Sequence, residues 1–197
     1  VESLRKQLKR YSVIPLLTLS ASLITACSFQ TGDTQQENAE PDKQDAQEKY
    51  VGRDLEIGVL GMPPEINSEK ITFHTVEVEE LSIETVEQYD GFFVMEEYLE
   101  KAADGPYTEV FTQSDVLFFF IQTAAYYFPF VDDEINYVEY SKRVHDEEIF
   151  SYGYYPLADE GASGWQFNIL AKDLTEEEYT ETTRGLYYEM FNVIRDL

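Results

Sequence analysis

The sequence predicts an α/β fold, a single domain with a mostly parallel sheet of Rossmann-like or flavodoxin-like type. Three observations predict it. Short apolar runs at 55–60, 71–76, 91–95 and 116–121 are separated by turn-rich or helical segments. The last of these, Val116-Leu117-Phe118-Phe119-Phe120-Ile121, has no polar alternation, as a strand covered on both faces requires. The passage Tyr89-Asp90-Gly91-Phe92-Phe93-Val94 then has the rhythm of a helix end feeding a buried strand. One joint opens an alternative. Only Gly61–Lys70 separates the first two runs, which is short for a right-handed crossover, and a hairpin there would make the fold α+β.

In chain order, Leu55–Leu60 reads as a buried strand stopped by Gly61-Met62-Pro63-Pro64, and Ile71–Val76 as a second strand rich in β-branched and aromatic residues. Ser82 is placed to cap a helix, with Leu81 and Val86 closing its first turn as a hydrophobic staple. Gly91–Met95 is the third strand. Glu96–Asp104 reads as a helix stopped by Gly105 and Pro106, and a short helical piece over Thr108–Gln113 leads into the fourth strand. In the second half, Val131–Glu148 is expected to be a helix opened by Asp132 or Asp133, with Ile135, Val138 and Val144 inward. Phe150–Tyr155 and Gln166–Leu170 read as strands joined by a loop that holds Gly161 and Gly164. The last helix carries a capping box in Thr175 and Glu178, and Tyr179, Leu186, Met190, Val193 and Leu197 recur at helical spacing.

The amino end has a different character. Arg5, Lys6, Lys9 and Arg10 precede an uncharged apolar run from Tyr11 to Ala26, and that run ends in Ile24-Thr25-Ala26-Cys27. Basic, apolar and then small residues is the order of a secretory signal, and sixteen apolar residues fall short of the ~20 that span a bilayer. Ile24-Thr25-Ala26-Cys27 resembles the lipobox of bacterial, Gram-positive-type lipoproteins. That resemblance implies cleavage between Ala26 and Cys27, a diacylglycerol on the Cys27 thiol, and attachment to the extracytoplasmic face of the cell membrane. Cys27 is the single cysteine, so a disulfide is not its purpose. Residues 27–50 are polar and acidic and read as a disordered tether, leaving 51–197 as one globular domain. Residues 51–197 bear no resemblance to a characterised family.

Composition narrows the partners. Residues 1–26 hold four of the 14 Lys/Arg and one of the 39 Asp/Glu, so 10 basic and 38 acidic side chains remain, a formal charge of −28. A phosphate backbone needs a basic face, so nucleic acid is not expected. Such an acidic, lysine-poor composition suits a saline or alkaline exterior, where screening tolerates self-repulsion.

Chemical motifs are sparse. A dinucleotide turn after the first strand would read Gly-x-Gly-x-x-Gly, but Gly58-Val59-Leu60-Gly61-Met62-Pro63-Pro64 removes two amide donors. Gly161-Ala162-Ser163-Gly164 is not a nucleophile elbow, although Ser163 with His145 or His74 forms a conceivable pair. His74 in a strand reads as a packed histidine. The acidic clusters Glu77, Glu79, Glu80 and Asp132, Asp133, Glu134 lack the pattern of a calcium loop, and neither a metal nor a cofactor is expected.

Ligands of parallel sheets sit at the carboxyl ends of the strands, which gathers Gly61, Met62, Glu96, Glu97, Gln122 and Thr123 into an expected pocket. The tyrosines and phenylalanines around Pro129, with Tyr152, Tyr154 and Tyr155, are either core or a platform for a sugar, peptide or protein. The reading that follows is a membrane-anchored module binding a small ligand or a protein. The alternatives are a cell-wall or extracellular hydrolase using Glu96, Glu97 or Asp90, and an accessory subunit of a membrane complex.

Overall fold

The computed structural model describes residues 50–123, 125–157 and 161–197. The expected leader, Cys27 and the tether up to residue 49 lie outside them. Tyr50, the expected end of the tether, belongs instead to the fold: it is buried and meets Phe191 edge-on, ring centres 5.9 Å apart.

Six strands form one mixed sheet in the order β2-β1-β3-β4-β5-β6. β1 (Leu55–Leu60), β2 (Ile71–Thr75), β3 (Gly91–Val94) and β4 (Phe118–Ile121) are mutually parallel, whereas β5 (Ile149–Pro156) and β6 (Ala162–Asn168) form an antiparallel end. The class is therefore α/β, and the expectation of a mostly parallel sheet holds for four strands of six. The short joint between β1 and β2 is not a hairpin. Ten residues of extended chain reach ~33 Å, enough to return along a strand of β1's length without a helix. On the way Ile66 packs into the core.

Alternation along the strands sends successive side chains to opposite faces, and each face builds its own core. One face carries Leu60, Phe92, Val94, Phe118, Phe120 and Tyr154, covered by residues of short helices such as Val86, Leu99, Phe111 and Phe130. These belong to α1 (Ile83–Val86), α2 (Leu99–Ala102), α3 (Thr108–Gln113) and α4 (Phe128–Val131). The other face carries Ile57, Val59, Phe93, Leu117, Phe119, Ile121 and Phe150. A single long helix, α6 (Glu176–Asp196), covers it with Tyr187, Tyr188, Met190, Phe191 and Ile194. Phe93 is the hub of this second layer. Its ring stacks on Phe191 at 6.0 Å and on Tyr187 at 5.9 Å, and meets Phe119 edge-on at 5.6 Å.

Several local expectations need correction. Ser82 does cap α1, accepting from the Thr85 N–H, but the helix lasts only four residues. The expected helix over Glu96–Asp104 is a 3-10 turn at Glu96–Tyr98 followed by α2, and Gly105 and Pro106 open a further turn rather than only ending one. The expected helix over Val131–Glu148 is split. α4 ends at Val131, and α5 (Tyr137–Val144) is capped by Asn136, whose Oδ1 accepts from the Glu139 N–H at 3.0 Å. Asp132 instead receives the Glu134 N–H in the intervening turn, and no residue of α5 is fully buried. Gly164 and Ser163 lie inside β6 rather than in a loop.

α6 starts where the sequence places it, with both halves of the capping box formed. Its buried line is different, however. Tyr179 and Leu197 are exposed, Leu186 and Val193 are half-buried, and of the expected set only Met190 is fully buried. The apolar residues of the helix form a wide stripe. The aromatic cluster on Phe93 selects the line through Tyr187, Phe191 and Ile194.

Two outcomes follow from this packing. Phe93→Ala should cost about 3–5 kcal/mol of unfolding free energy in urea titrations, through the cavity left in the middle of one face. The second concerns Glu178, to which both the backbone N–H and the hydroxyl of Thr175 donate, at 2.8 Å each. These bonds hold its carboxyl below the ordinary glutamate value. A lowered folded pKa favours the charged form, so the contribution is complete above the ordinary value of about 4.3 and lost as pH falls through the lowered one. The stability difference between wild type and Glu178→Ala should therefore be present at pH 7 and vanish on acidification; a pH-independent difference would assign the cost to helix propensity alone.

Candidate functional site

Four chain segments converge at one edge of the sheet. β3 and β4 end there. β5 runs against β4 and so begins there, and β6 ends there before the chain turns into the N-terminus of α6. Between these segments lies a cavity of about 970 Å³. Its apolar floor is Ile149 and Phe150 at the start of β5, with Ile169 just past β6. Its rim is polar and comes from Glu96, Gln122, the His145–Glu148 turn, Lys172, Asp173 and Tyr179.

The backbone is strained at two places on this rim. Gln122 has φ 55° and Asp173 φ 57°, and among the described residues they are the two non-glycine positions in the left-handed region. Such a conformation costs an L-residue about 1–2 kcal/mol, and Asp bears it better than most. Gln122 is held by tertiary bonds: its N–H donates to the Phe150 carbonyl and its Nε2 to the Tyr179 hydroxyl at 3.3 Å. The residue that follows β4 is thereby fastened to β5 by its backbone and to α6 by its side chain.

The cleft is negative. Glu96, Asp146, Glu147, Glu148 and Asp173 line it together with one lysine, Lys172, and one histidine, His145. The partial positive charge at the start of α6 is already answered by Glu176, Glu177 and Glu178 in its first turn. Burial pushes the hydroxyl of Tyr187, which packs against the Phe150 ring, well above the ordinary tyrosine value, with the charges of Tyr179 and Glu97 adding to the shift. Tyr187 therefore stays neutral at any physiological pH.

The six residues expected at the strand ends divide into three groups. Glu96 and Gln122 line the cleft. Gly61, Met62 and Glu97 form a separate clasp in which Glu97 Oε1 accepts the Met62 N–H at 2.9 Å. Gly61 has φ +117°, and a Cβ there would fall 2.6 Å from that carboxylate oxygen, so glycine is required twice over. Thr123 is fully buried and donates to the Ala125 carbonyl at 3.0 Å, which makes it part of the core rather than of the pocket.

The carboxylates of the hydrolase alternative do not converge. Asp90 lies at the opposite edge of the sheet, where it accepts from Arg53 at 2.6 Å and from the Glu56 N–H at 2.8 Å. Ser163 pairs with Tyr155 near the start of β6, at the edge away from His145. His74 is exposed rather than packed, stacked on Tyr89 and bonded to Glu56. Among the described residues no group of three or more His, Cys, Asp or Glu side chains is placed to hold a metal ion, and no helix is long and apolar enough to cross a membrane.

Most of the rim comes from the second half of the chain, which sequence reasoning did not place. The signal that would have found it is the direction of β5. Once that strand is antiparallel, 145–150 and 169–174 must meet the ends of β3 and β4. Comparisons with protein-family models, with curated proteins and with solved structures return no match to this chain.

The strain at Asp173 is measurable. Asp173→Gly, which removes the penalty without touching an apolar contact, should raise unfolding free energy by up to about 1 kcal/mol in urea titration. A loss of stability would show that the Asp173 side chain contributes more than its backbone costs.

Proposed function

We propose that this protein is a lipid-anchored extracytoplasmic binding module. In this reading it is cut between Ala26 and Cys27, held at the membrane by lipid on Cys27, and takes a small ligand in the cleft between β4, β5 and α6. The cleft carries the reading. Its volume of about 970 Å³ lies within the ~300–1,000 Å³ of small-molecule sites, and it combines an apolar floor with a polar rim. Two strained residues stand on that rim, where backbone strain accompanies pre-organisation. Its position outside the carboxyl ends of parallel strands is where open α/β sheets bind ligands, an argument from fold-level analogy.

The parallel half follows the order β2-β1-β3-β4, which supports a flavodoxin-like description of that half. The cleft lies beyond β4 toward the antiparallel end and not at the β1–β3 reversal, so the likeness in strand order brings no ligand with it. Charge supplies the ligand's chemistry. With five carboxylates against one lysine and one histidine in its lining, the cleft favours a compound with an amino or other cationic group and an apolar part for Ile149, Phe150 and Ile169.

Thermal unfolding at matched ionic strength tests this, with basic amino acids, polyamines, short cationic peptides, nucleotides and anionic controls as probes. A ligand at ~100 times its Kd adds about 2.7 kcal/mol, a readily measured rise in Tm. The expected result is a rise with a cationic class that Gln122→Ala and Tyr179→Ala abolish. No rise from any class, or one that survives both substitutions, overturns the cleft as the site and leaves a protein partner as the occupant of the module.

A further inference from the structure

A second surface lies on the other face of the sheet, away from α6. Tyr126, Tyr127 and Phe128 follow β4, Tyr140 stands on α5, and Tyr152 and Tyr154 point from β5 toward them. The rings are contiguous. Tyr127 lies 4.7 Å from Phe128, 5.2 Å from Tyr152 and 4.8 Å from Tyr154, while Tyr126 meets Tyr152 at 5.7 Å and Phe128 meets Tyr140 at 6.2 Å. Tyr154 is buried and anchors the belt to the core. Tyr126, Tyr127, Tyr140 and Tyr152 are half-buried, and Phe128 is 42% exposed. Tyr155 turns to the opposite face and donates to Asp115, and Phe130 and Pro129 are buried, so the aromatic run seen in the sequence is part core and part surface.

The neighbouring edge strand β6 completes the surface. Gln166 is the cross-strand partner of Tyr152 and Gly164 that of Tyr154, so both face the belt. A Cβ at Gly164 would stand 3.0 Å from the Tyr152 hydroxyl, which places that ring across the bare backbone of β6. Beside it Gln166 Nε2 donates to Asn168 Oδ1 at 3.0 Å, an arrangement that orients the Gln166 carbonyl oxygen and the Asn168 amide as one acceptor and one donor at the margin of the rings. The charge that touches the belt is a cation, Arg143, 5.4 Å from the centre of the Tyr140 ring.

We propose that this belt binds a neutral glycan. On a chain of formal charge −25, a surface built of tyrosine, phenylalanine and carboxamide groups, with the guanidinium of Arg143 at one end, stands apart from the carboxylates. A polyol meets no repulsion there, whereas an acidic polysaccharide is opposed by the protein as a whole. The chemistry is complementary on both sides. One face of a pyranose carries C–H groups that lie flat on an aromatic ring, and its hydroxyls, directed outward, find the paired amides and the phenol groups. Burial raises the hydroxyls of Tyr140, Tyr152 and Tyr154 above the ordinary tyrosine value, so they remain O–H donors at neutral and mildly alkaline pH.

The test uses the full chain in detergent micelles against immobilised hexamers of glucose, N-acetylglucosamine, mannose and galactose, with hexagalacturonate as the anionic control. The expected result is binding of at least one neutral hexamer and not of hexagalacturonate. Its Kd should rise at least tenfold in Phe128→Ala and in Gln166→Ala, both of which should keep the wild-type melting curve, and should be unchanged in Gln122→Ala. Binding of none of the four neutral hexamers overturns the proposal and leaves the belt to a protein. Binding that survives both belt substitutions, or that Gln122→Ala removes, overturns it as well, since the sugar would then sit elsewhere or in the cleft.

Discussion

The stack of Phe93 on Phe191 joins the middle of the sheet to the helix that covers one of its faces. α6 has 21 residues and, at ~1.5 Å per residue, reaches across strands of four to eight residues with length to spare. The opposite face is divided among several helices of four to eight residues, none long enough to be stable by itself. Much of the burial on the first face thus rests on one element, held by aromatic pairs each contributing about 0.5–1.5 kcal/mol beyond their buried area. The same contact bears on the cleft. Docking the C-terminal half of α6 on Phe93 leaves Tyr179, in its first turns, beside Gln122, which lines the cleft.

The charge of the chain shapes what that architecture can do. A formal charge of −25 is spread over a surface whose ion pairs, such as Lys70 with Asp54 and Lys101 with Glu79, are exposed and contribute little. Cohesion comes from the two aromatic layers, and the carboxylates serve as a field. In the cleft that field favours cations. Over the aromatic belt tyrosines and carboxamides take the place of carboxylates, with Arg143 against the Tyr140 ring. The domain thus carries two surfaces of different character, an acidic cleft at the strand ends and an aromatic belt on the face away from α6.

Much of the site was out of reach of sequence reasoning for a definite reason. The rule that ligands sit at strand carboxyl ends pointed to the edge where the cleft lies, and Glu96 and Gln122 line that cleft. It also gathered Gly61, Met62 and Glu97, which instead brace the turn after β1, and Thr123, which is core. Whether a residue just past a strand turns into the cleft, into a neighbouring loop or into the interior depends on what packs above it. For Gln122 that is Tyr179, 57 positions away.

By itself the sequence determined whatever is written within a few neighbouring residues. This covers the apolar runs of the first four strands, the Ser82 cap, α3 over Thr108–Gln113, and the Thr175 and Glu178 capping box that starts α6. These depend on side-chain periodicity and on hydrogen bonds across one helical turn. Tertiary structure alone decided the direction and order of strands, because backbone pairing is satisfied equally well parallel or antiparallel and the choice lies with distant partners. It made the ten residues after β1 a parallel return instead of a hairpin, turned β5 against β4, and drew Tyr50 into the core. It also chose which line of α6 is buried. Several lines of that helix are apolar enough, and the rings around Phe93 accept only the one that carries Tyr187, Phe191 and Ile194.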